Sequence, residues 1–473
     1  MTPTVPDWVK DAVFYQVFPD RFARSERLPK PANLEPWGSP PTVHGYKGGD
    51  LLGVLERLDH LEALGVNAIY LNPVFASTAN HRYHTADYHA VDPLLGGDRA
   101  LAELLDGAHA RGMRVILDGV FNHSGRGFLP FADVLENGEK SPYLDWFHVR
   151  RLPLNAYGGG ELGYEAWWGL PALPKLNVAN PLVREFVFDV GERWLRFGAD
   201  GWRLDVPSEI DDDEFWREFR RRCVGAKGDA YIVGEIWELA ERWVQGDMFH
   251  GVMNYPFARA VLGLVGRELD RAEAAKSGLG HLEPLPPEAF AARLEELLQV
   301  YRGETAFGQL NLLGSHDTPR LATLLCGDAA ALRQAFLLLF ASPGAPCVYY
   351  GDEIGMRGGH DPHNRGAFPW EDRAAWDEDL LAFVSALGRL RRELHPLRRG
   401  AARVFAMQGA VVVRRESEGG VACAVVNTTD HDVELTDEAL PAYRCVDRLA
   451  PERGVHEGRF TVPYRGLALL TPA

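Results

Sequence analysis

Four short apolar segments of this chain each run out into ionisable side chains. Arg114–Leu117 leads to Asp118, Asn122 and His123, and Ala199–Leu204 leads to Asp205, with Arg203 two positions before it. Ala230–Val233 leads to Glu235 and Trp237, and Gln309–Leu312 leads to His316 and Asp317. One strand ending in an aspartate is ordinary: the residue is most often a cap or an ion-pair partner. A lone strand-end histidine is likewise more often a satisfied core residue. Four apolar strands ending in ionisable groups is costly unless those groups share a site. The chemistry such a site could do is glycoside hydrolysis. Two carboxyl groups about 5–5.5 Å apart, flanking a glycosidic bond, would cleave it with retention.

The spacing assigns roles. Gly201, Arg203 and Asp205 fall on one face of their strand, and Trp202 and Leu204 on the other. Arg203 beside Asp205 is expected to hold that carboxylate ionised, as a nucleophile requires. Crowding by two carboxylates, with apolar walls such as Trp237, would keep Glu235 protonated as the general acid. Asp317 would stabilise the oxocarbenium-like transition state or hold sugar hydroxyls, which His123 and His316 are also placed to bind.

The elements that must position these residues are legible in the alternation of short β-rich runs with helical patterns. Val13–Val17, Val66–Leu71, Gly251–Met253 and Cys347–Tyr350 join the four strands above. Eight parallel strands with helical crossovers predict an α/β fold, a (β/α)8 TIM barrel whose strand ends share one mouth. Asn180-Pro181 reads as an N-cap with Pro at the first helical position, followed by Leu182, Phe186, Val190, Trp194 and Phe197 at helical spacing. The acidic run Asp211–Glu214 reads as a helix N-terminus favoured by the macrodipole, not as a metal site.

The third connection is too long for a simple crossover, so a small domain is expected over the barrel mouth. Alternating runs near the C-terminus predict a β-sandwich. The expected division is residues 1–122 and 181–398 for the barrel, 123–180 for the inserted domain and 399–473 for the terminal sandwich.

A net charge of -16 disfavours nucleic acid and anionic membrane surfaces as partners, and leaves a neutral polar ligand unpenalised. No stretch approaches the ~20 apolar residues of a membrane span. Five cysteines without a CxxC pair argue against both a disulfide framework and a metal knuckle. Cytoplasmic residence is expected, an already removed leader peptide being the alternative.

Asp118–His123 (DGVFNH), Gly201–Asp205 (GWRLD), Gly234–Trp237 (GEIW) and Ser315–Asp317 (SHD) resemble the four signature regions of the α-amylase family of glycoside hydrolases. Val13–Phe22, Tyr83–Tyr88 (YHTADY) and Gly344–Glu353 agree, so the resemblance covers nearly the whole chain. It implies double displacement on α-glucosidic bonds, with Asp205 as nucleophile, Glu235 as acid/base and Asp317 as stabiliser. Tyr83, His123, Arg203 and His316 would line the subsite of the attacked glucose, Tyr83 by stacking on its ring, with Trp237 among the binding residues.

Leu173–Asn177 (LPKLN) and Asp361–Arg365 (DPHNR) point to the neopullulanase, cyclomaltodextrinase and maltogenic amylase group, with Asp361 and Arg365 contacting the neighbouring sugar. Tandem Trp167-Trp168 either walls the cleft or packs inside the small domain. The expected partners are α-glucan oligosaccharides or polysaccharides. Transglycosylation is the alternative activity and a non-catalytic glucan-binding protein the remote one.

Three departures qualify the likeness. That group carries an N-terminal β-domain that helps form dimers, whereas here the first strand begins near Val13, so a monomer or weak homodimer is expected. Arg24-Ser25-Glu26-Arg27 stands where relatives place a calcium loop and offers poor hard-oxygen ligands, leaving Asp50 and Asn122 as the nearest metal candidates. No cofactor is expected to be required. Pro207-Ser208-Glu209 replaces the Ala-Asn-Glu usual after the nucleophile.

Overall fold

The computed structural model describes residues 5–436 and 439–473; the first four residues of the N-terminus discussed above, and 437–438 of the terminal β-region, lie outside the described residues. Eight parallel strands close a barrel: β1 Phe14–Val17, β2 Ala68–Leu71, β3 Arg114–Gly119, β4 Gly201–Leu204, β5 Tyr231–Gly234, β6 Gly251–Asn254, β7 Leu310–Leu312 and β8 Ala345–Tyr349. Neighbours around the ring follow chain order, and β8 closes on β1. Each strand falls on the apolar run predicted for it, with its ends moved by one or two residues. Helices cover the outer face and side chains fill the inner one. Every residue of β1, β2, β4 and β5 is therefore buried, which is why these strands read as unbroken apolar runs. Gly201 is required by space: a Cβ there would lie 2.1 Å from the carbonyl oxygen of Tyr231 on the adjacent strand.

Asn180 caps the helix Pro181–Phe197 by accepting a hydrogen bond from the Leu182 amide at 2.9 Å. Its buried face is Val183, Val187, Val190 and Trp194, whereas Leu182 is exposed and Phe197 partly so. The predicted stripe was therefore one residue out at its start, and one residue turns a helix by about 100°. Trp202, facing outward from β4, donates to the Gly191 carbonyl of this helix at 3.1 Å. The acidic run begins the helix Asp213–Ala226, with Asp212 as the cap accepting from the Phe215 amide at 2.9 Å.

Between β3 and β4 the chain forms the helix Leu129–Asn137 and short turns before entering Pro181–Phe197. Phe131 packs edge-on against Phe147 and Tyr164, both at 4.9 Å. Isolated bridges pair His123 with Lys175 and Phe147 with Leu176, so the start of this segment is stitched to its end at the barrel mouth.

Beyond the barrel, a six-stranded antiparallel sheet runs from Ala401–Met407 to Val455–Glu457 in strand order, and Val433–Thr436 pairs with Arg459–Val462 in a second sheet. Val412, Val425, Leu435, Phe460 and Val462 form the core between them, the sandwich predicted for this region. Among the described residues, no helix is long and apolar enough to cross a membrane.

Candidate active site

Strand register brings the ionisable residues to one lip. Asp118 pairs with Arg203 across β3 and β4, and Arg203 with Val233 across β4 and β5. The ladder continues one step past each strand: the Asp205 amide donates to Gly119 O at 3.0 Å and the Glu235 amide to Leu204 O at 2.9 Å.

Fully buried Arg203 sits at the centre. Its Nη1 donates to Asp118 Oδ1 and Oδ2 at 2.8 and 2.9 Å and to Asp205 Oδ1 at 3.1 Å. Its Nη2 lies 2.9 Å from Glu235 Oε2 but makes no hydrogen bond. Glu235 accepts instead from the Val206 amide at 3.1 Å and from Trp237 Nε1 at 3.2 Å. Trp237 is thus not the purely apolar wall predicted: its ring lies flat on Tyr255, 3.5 Å between centroids, and its N–H edge faces the carboxylate. Val206 adopts a left-handed backbone, φ 35° and ψ 50°, which a β-branched residue resists at a cost of about 1–3 kcal/mol. That turn directly follows Asp205 and presents the Val206 amide to Glu235.

The other wall is a second network. Asp317 Oδ2 lies 3.1 Å from His316 Nε2, and Asp317 Oδ1 lies 3.3 Å from Arg365 Nη2. Arg365 also donates to His316 O at 2.9 Å and pairs with Asp361 at 3.2 Å. Tyr83 stacks on His316 at 5.3 Å and donates its hydroxyl proton to Asp118 at 2.8 Å. Gln16 Nε2 donates to His316 Nδ1 at 2.9 Å and to Asn72 Oδ1 at 3.1 Å, while Asn72 Nδ2 donates to the Tyr83 hydroxyl at 3.0 Å. With Nδ1 accepting, His316 carries its proton on Nε2, 2.6 Å from the Tyr83 oxygen.

Asp205, Glu235, Asp317, Tyr83, Arg203, His316 and Arg365 are therefore joined in one network. Trp237 joins it through Glu235, and Asp361, half-exposed at the rim, through Arg365. His123 stands apart, buried with its ring on Trp167 at 5.1 Å. Gln16, Asn72 and Tyr70, whose hydroxyl donates to Asp118 Oδ2 at 2.8 Å, hold the network together but were not singled out from sequence. Their signal is faint: a lone polar residue within or just after an apolar strand.

Electrostatics correct one expectation. Burial is the dominant influence on Asp205 and pushes it well above the usual carboxylate range; Arg203 opposes that, and Glu235, Asp118 and Asp317 reinforce it. Arg203 alone therefore does not settle its charge. Burial and the nearby Glu235 push Asp317 up to about 7, and burial raises Asp118 despite Arg203. Burial with Arg365 holds His316 neutral, and burial drives His123 down to about 3. Near neutrality such a cluster shares a proton, as an acid/base pair needs.

Asp205 Oδ2, His123 Nε2 and Asn122 Oδ1 are buried without a protein partner. Each such atom costs about 1–3 kcal/mol, and all three lie on residues ending β3 or β4.

The loop after β1 does not fit calcium. Asp50 is committed to the Ser25 amide at 2.9 Å, the Gly53 amide at 2.8 Å and the Lys30 ammonium. The buried Lys47 ammonium takes the carbonyls of Pro36 and Ser39 at 2.9 and 2.8 Å. A site for a hard cation needs oxygens around the ion, and here two ammonium groups occupy them. Among the described residues no group of three or more His, Cys, Asp or Glu could hold a metal.

The model of the α-amylase catalytic domain matches residues 16–389. A cyclomaltodextrinase from a Bacillus species is 43% identical over 458 residues, covering 96% of this chain and 76% of that protein. A crystal structure of a protein from Thermus thermophilus is 54% identical with a TM-score of 0.93, covering 98% of this chain and 100% of that one. The cyclic α-maltosyl-(1→6)-maltose hydrolase of Arthrobacter globiformis is 38% identical with a TM-score of 0.89, covering 99% of this chain and all of its own. The barrel, its ordered strand-end motifs, the match to the family's catalytic domain and the likeness to the cyclomaltodextrinase over 96% of this chain agree: this chain belongs to the α-amylase family of glycosidases.

Proposed function

We propose that this protein hydrolyses α-1,4 glucosidic bonds, and some α-1,6 bonds, in maltooligosaccharides, cyclodextrins, pullulan or starch by double displacement. The observation that carries the assignment is the arrangement at the ends of β4 and β5: Arg203 lies between the two carboxylates, Nη1 3.1 Å from Asp205 Oδ1 and Nη2 2.9 Å from Glu235 Oε2, and Asp205 Oδ2 is buried without a protein partner. Motif position at the two strand ends gives Asp205 the nucleophile role and Glu235 the acid/base role. Glu235 protonates the leaving oxygen while Asp205 Oδ2 attacks the anomeric carbon, forming a glycosyl ester. Glu235 then takes a proton from water, which displaces Asp205 and restores the original configuration. Both carboxylates approach one guanidinium, which favours the close spacing of retaining enzymes, about 5–5.5 Å, over the wider inverting one.

Asp317, with Arg365 and His316, holds hydroxyls of the distorted ring, and neutral His123 offers Nε2 to another. The names of the relatives, a cyclomaltodextrinase and a cyclic maltosyl-maltose hydrolase, support short or cyclic α-glucans as substrates. We take residues 123–180 as a small domain walling one side of the cleft, a reading supported by the His123–Lys175 bridge that closes it. A cytoplasmic setting is supported by the name of a further relative, an intracellular maltogenic amylase of Bacillus subtilis, 40% identical over 394 residues.

A time course on maltotriose, β-cyclodextrin, pullulan and soluble starch, with products separated by chromatography, tests the function. Shorter products, with cyclodextrin or pullulan cut faster than starch, are expected. Products longer than the donor would make transfer the main activity, and absence of turnover on all of them would overturn the proposal.

A further inference from the structure

Trp168 violates two preferences at once. The residue is 80% exposed, and its backbone is left-handed, φ 53° and ψ 21°, a conformation disfavoured for a bulky side chain. Packing does not explain it, because packing would bury it. Gly169 follows with φ 68°, and its amide bonds the Ala166 carbonyl at 3.0 Å, so a tight turn folds the Trp168 ring back over Trp167. The two indoles lie 4.4 Å apart and 11° from parallel, and Trp167 in turn lies on His123 at 5.1 Å and 13°. The result is a ladder of three rings. It starts at a β3-end residue of the active site and ends in a bare aromatic face.

That face borders a cavity of about 530 Å³, well inside the size range of ligand sites. The Gly160–Gly163 turn bounds it on one side and Lys175 and Glu209 on the other. Lys175 Nζ donates to the Glu209 carbonyl at 3.0 Å, and Glu209 stands four residues beyond Asp205, so the cavity is continuous with the loop that follows the nucleophile. Its rim carries Arg150, Glu161, Glu165, Lys175 and Glu209, a mixture of donors and acceptors without one dominant sign.

We propose that Trp168 is a stacking platform for a further glucose unit of an α-glucan whose reacting unit lies between Asp205 and Glu235. The inference rests on the α-glucan reading above and extends it. The apolar face of a pyranose covers the open indole, and the mixed rim serves its hydroxyls. The strained backbone is retained because it aims the ring into the cavity. The site selects for chains long enough to reach both places.

Isothermal titration of maltohexaose into the full-length Asp205→Asn protein, alone and combined with Trp168→Ala or Trp168→Gly, tests this, with the thermal midpoint recorded for each. Both Trp168 replacements are expected to weaken binding about 5- to 10-fold, the size of one aromatic stacking contact. Trp168→Gly is also expected to raise the thermal midpoint, because glycine adopts the left-handed backbone freely. Opposite signs for affinity and stability mark a ligand platform.

Affinity unchanged within twofold in both variants overturns the platform while leaving the α-glucan reading standing. So does a Trp168→Gly variant that loses stability and affinity together, which would mark the ring as packing. If the parent Asp205→Asn protein fails to bind maltohexaose, the α-glucan reading falls and the platform with it.

Discussion

β4 carries a buried aspartate at each end, and the two are treated in opposite ways. Asp200, just before the strand, is saturated: His109 Nε2, Arg114 Nη1, Lys227 Nζ and the Val115 amide all approach its oxygens at 2.8 Å. Those hydrogen bonds outweigh the cost of burial and hold it far below the usual carboxylate range. Asp205, just after the strand, has Arg203 on one oxygen and nothing on the other, faces three further carboxyl groups, and is driven upward by burial. One residue type, at two positions five apart flanking one strand, is a structural anchor at the bottom of the barrel and an incompletely paired group at the top. Satisfaction of hydrogen-bonding capacity separates the two more sharply than burial does. At β4 the division is between a carboxylate saturated by the fold at the closed end and one with an oxygen left for a ligand at the open end.

Exchanging charge for a neutral amide at each end should split function from stability. Asp205→Asn is expected to lower turnover on the order of 10⁴-fold or more, as loss of a covalent nucleophile does, with the far-ultraviolet circular dichroism unchanged. Asp200→Asn is expected to cost about 3 kcal/mol in urea unfolding, because it leaves cationic partners facing a neutral group, yet to keep kcat per folded molecule within a few fold. A fully folded Asp200→Asn protein without turnover would break the comparison. So would an Asp205→Asn protein retaining near-normal turnover.

The two ends should also carry opposite pH dependences. Asp200 is depressed in the folded state, so the unfolded chain binds its proton first as pH falls. Its contribution is present above about pH 4 and is lost below that. Asp205 and Asp317 are raised, so the folded state binds their protons more readily than the unfolded chain. Their stabilising effect is present below about pH 4 and is lost as pH climbs through the folded values, about 7 for Asp317. Urea unfolding at pH 3 to 8 should show Asp200→Asn removing part of the acid-side loss. Asp205→Asn should remove part of the decline toward pH 8 and raise the unfolding midpoint there. A lower midpoint for Asp205→Asn at pH 8 would mean that Asp205 is anchored after all.

How much of this was legible in the sequence follows from the same contrast. Barrel strands buried on both faces leave continuous apolar runs, so all eight could be read, and the polar residues that end them stand out against apolar flanks. Asp205, Glu235 and Asp317 are legible because polarity at those places is anomalous. Asp200 has no such signature: it sits between Ala199 and Gly201, and its partners come from residues 109, 114, 115 and 227, which nothing local connects. Gln16 and Asn72 were missed for a related reason, since one amide in or beside a strand looks like noise until the barrel closes. The charge balance at Asp205 was misjudged because Arg203 is adjacent in sequence, whereas burial and the carboxyl groups opposing it are properties of the assembled mouth. The edge-on use of Trp237 depends on Tyr255, which occupies its face.

The finest test of the contrast removes one of the four anchors and leaves three. Lys227 donates to Asp200 Oδ1 at 2.8 Å and to the Ala199 carbonyl at 2.9 Å, and its side chain is one-fifth exposed. Lys227→Met keeps the aliphatic stem packed while deleting the ammonium. His109, Arg114 and the Val115 amide still hold Asp200, so a loss of only about 1–2 kcal/mol is expected in urea unfolding. Saturation at the closed end is what makes the loss small: an oversupplied carboxylate tolerates losing a donor. The open end has no such reserve. Among the described residues Arg203 is the only charged donor hydrogen-bonded to Asp205, and equivalent removal there, Arg203→Met, should alter turnover and its pH profile together. Unchanged kcat and KM in Lys227→Met, measured on the same oligosaccharide, would show that β4 insulates one end from the other. A shift in the pH profile of that variant would show that the strand transmits the loss to Asp205.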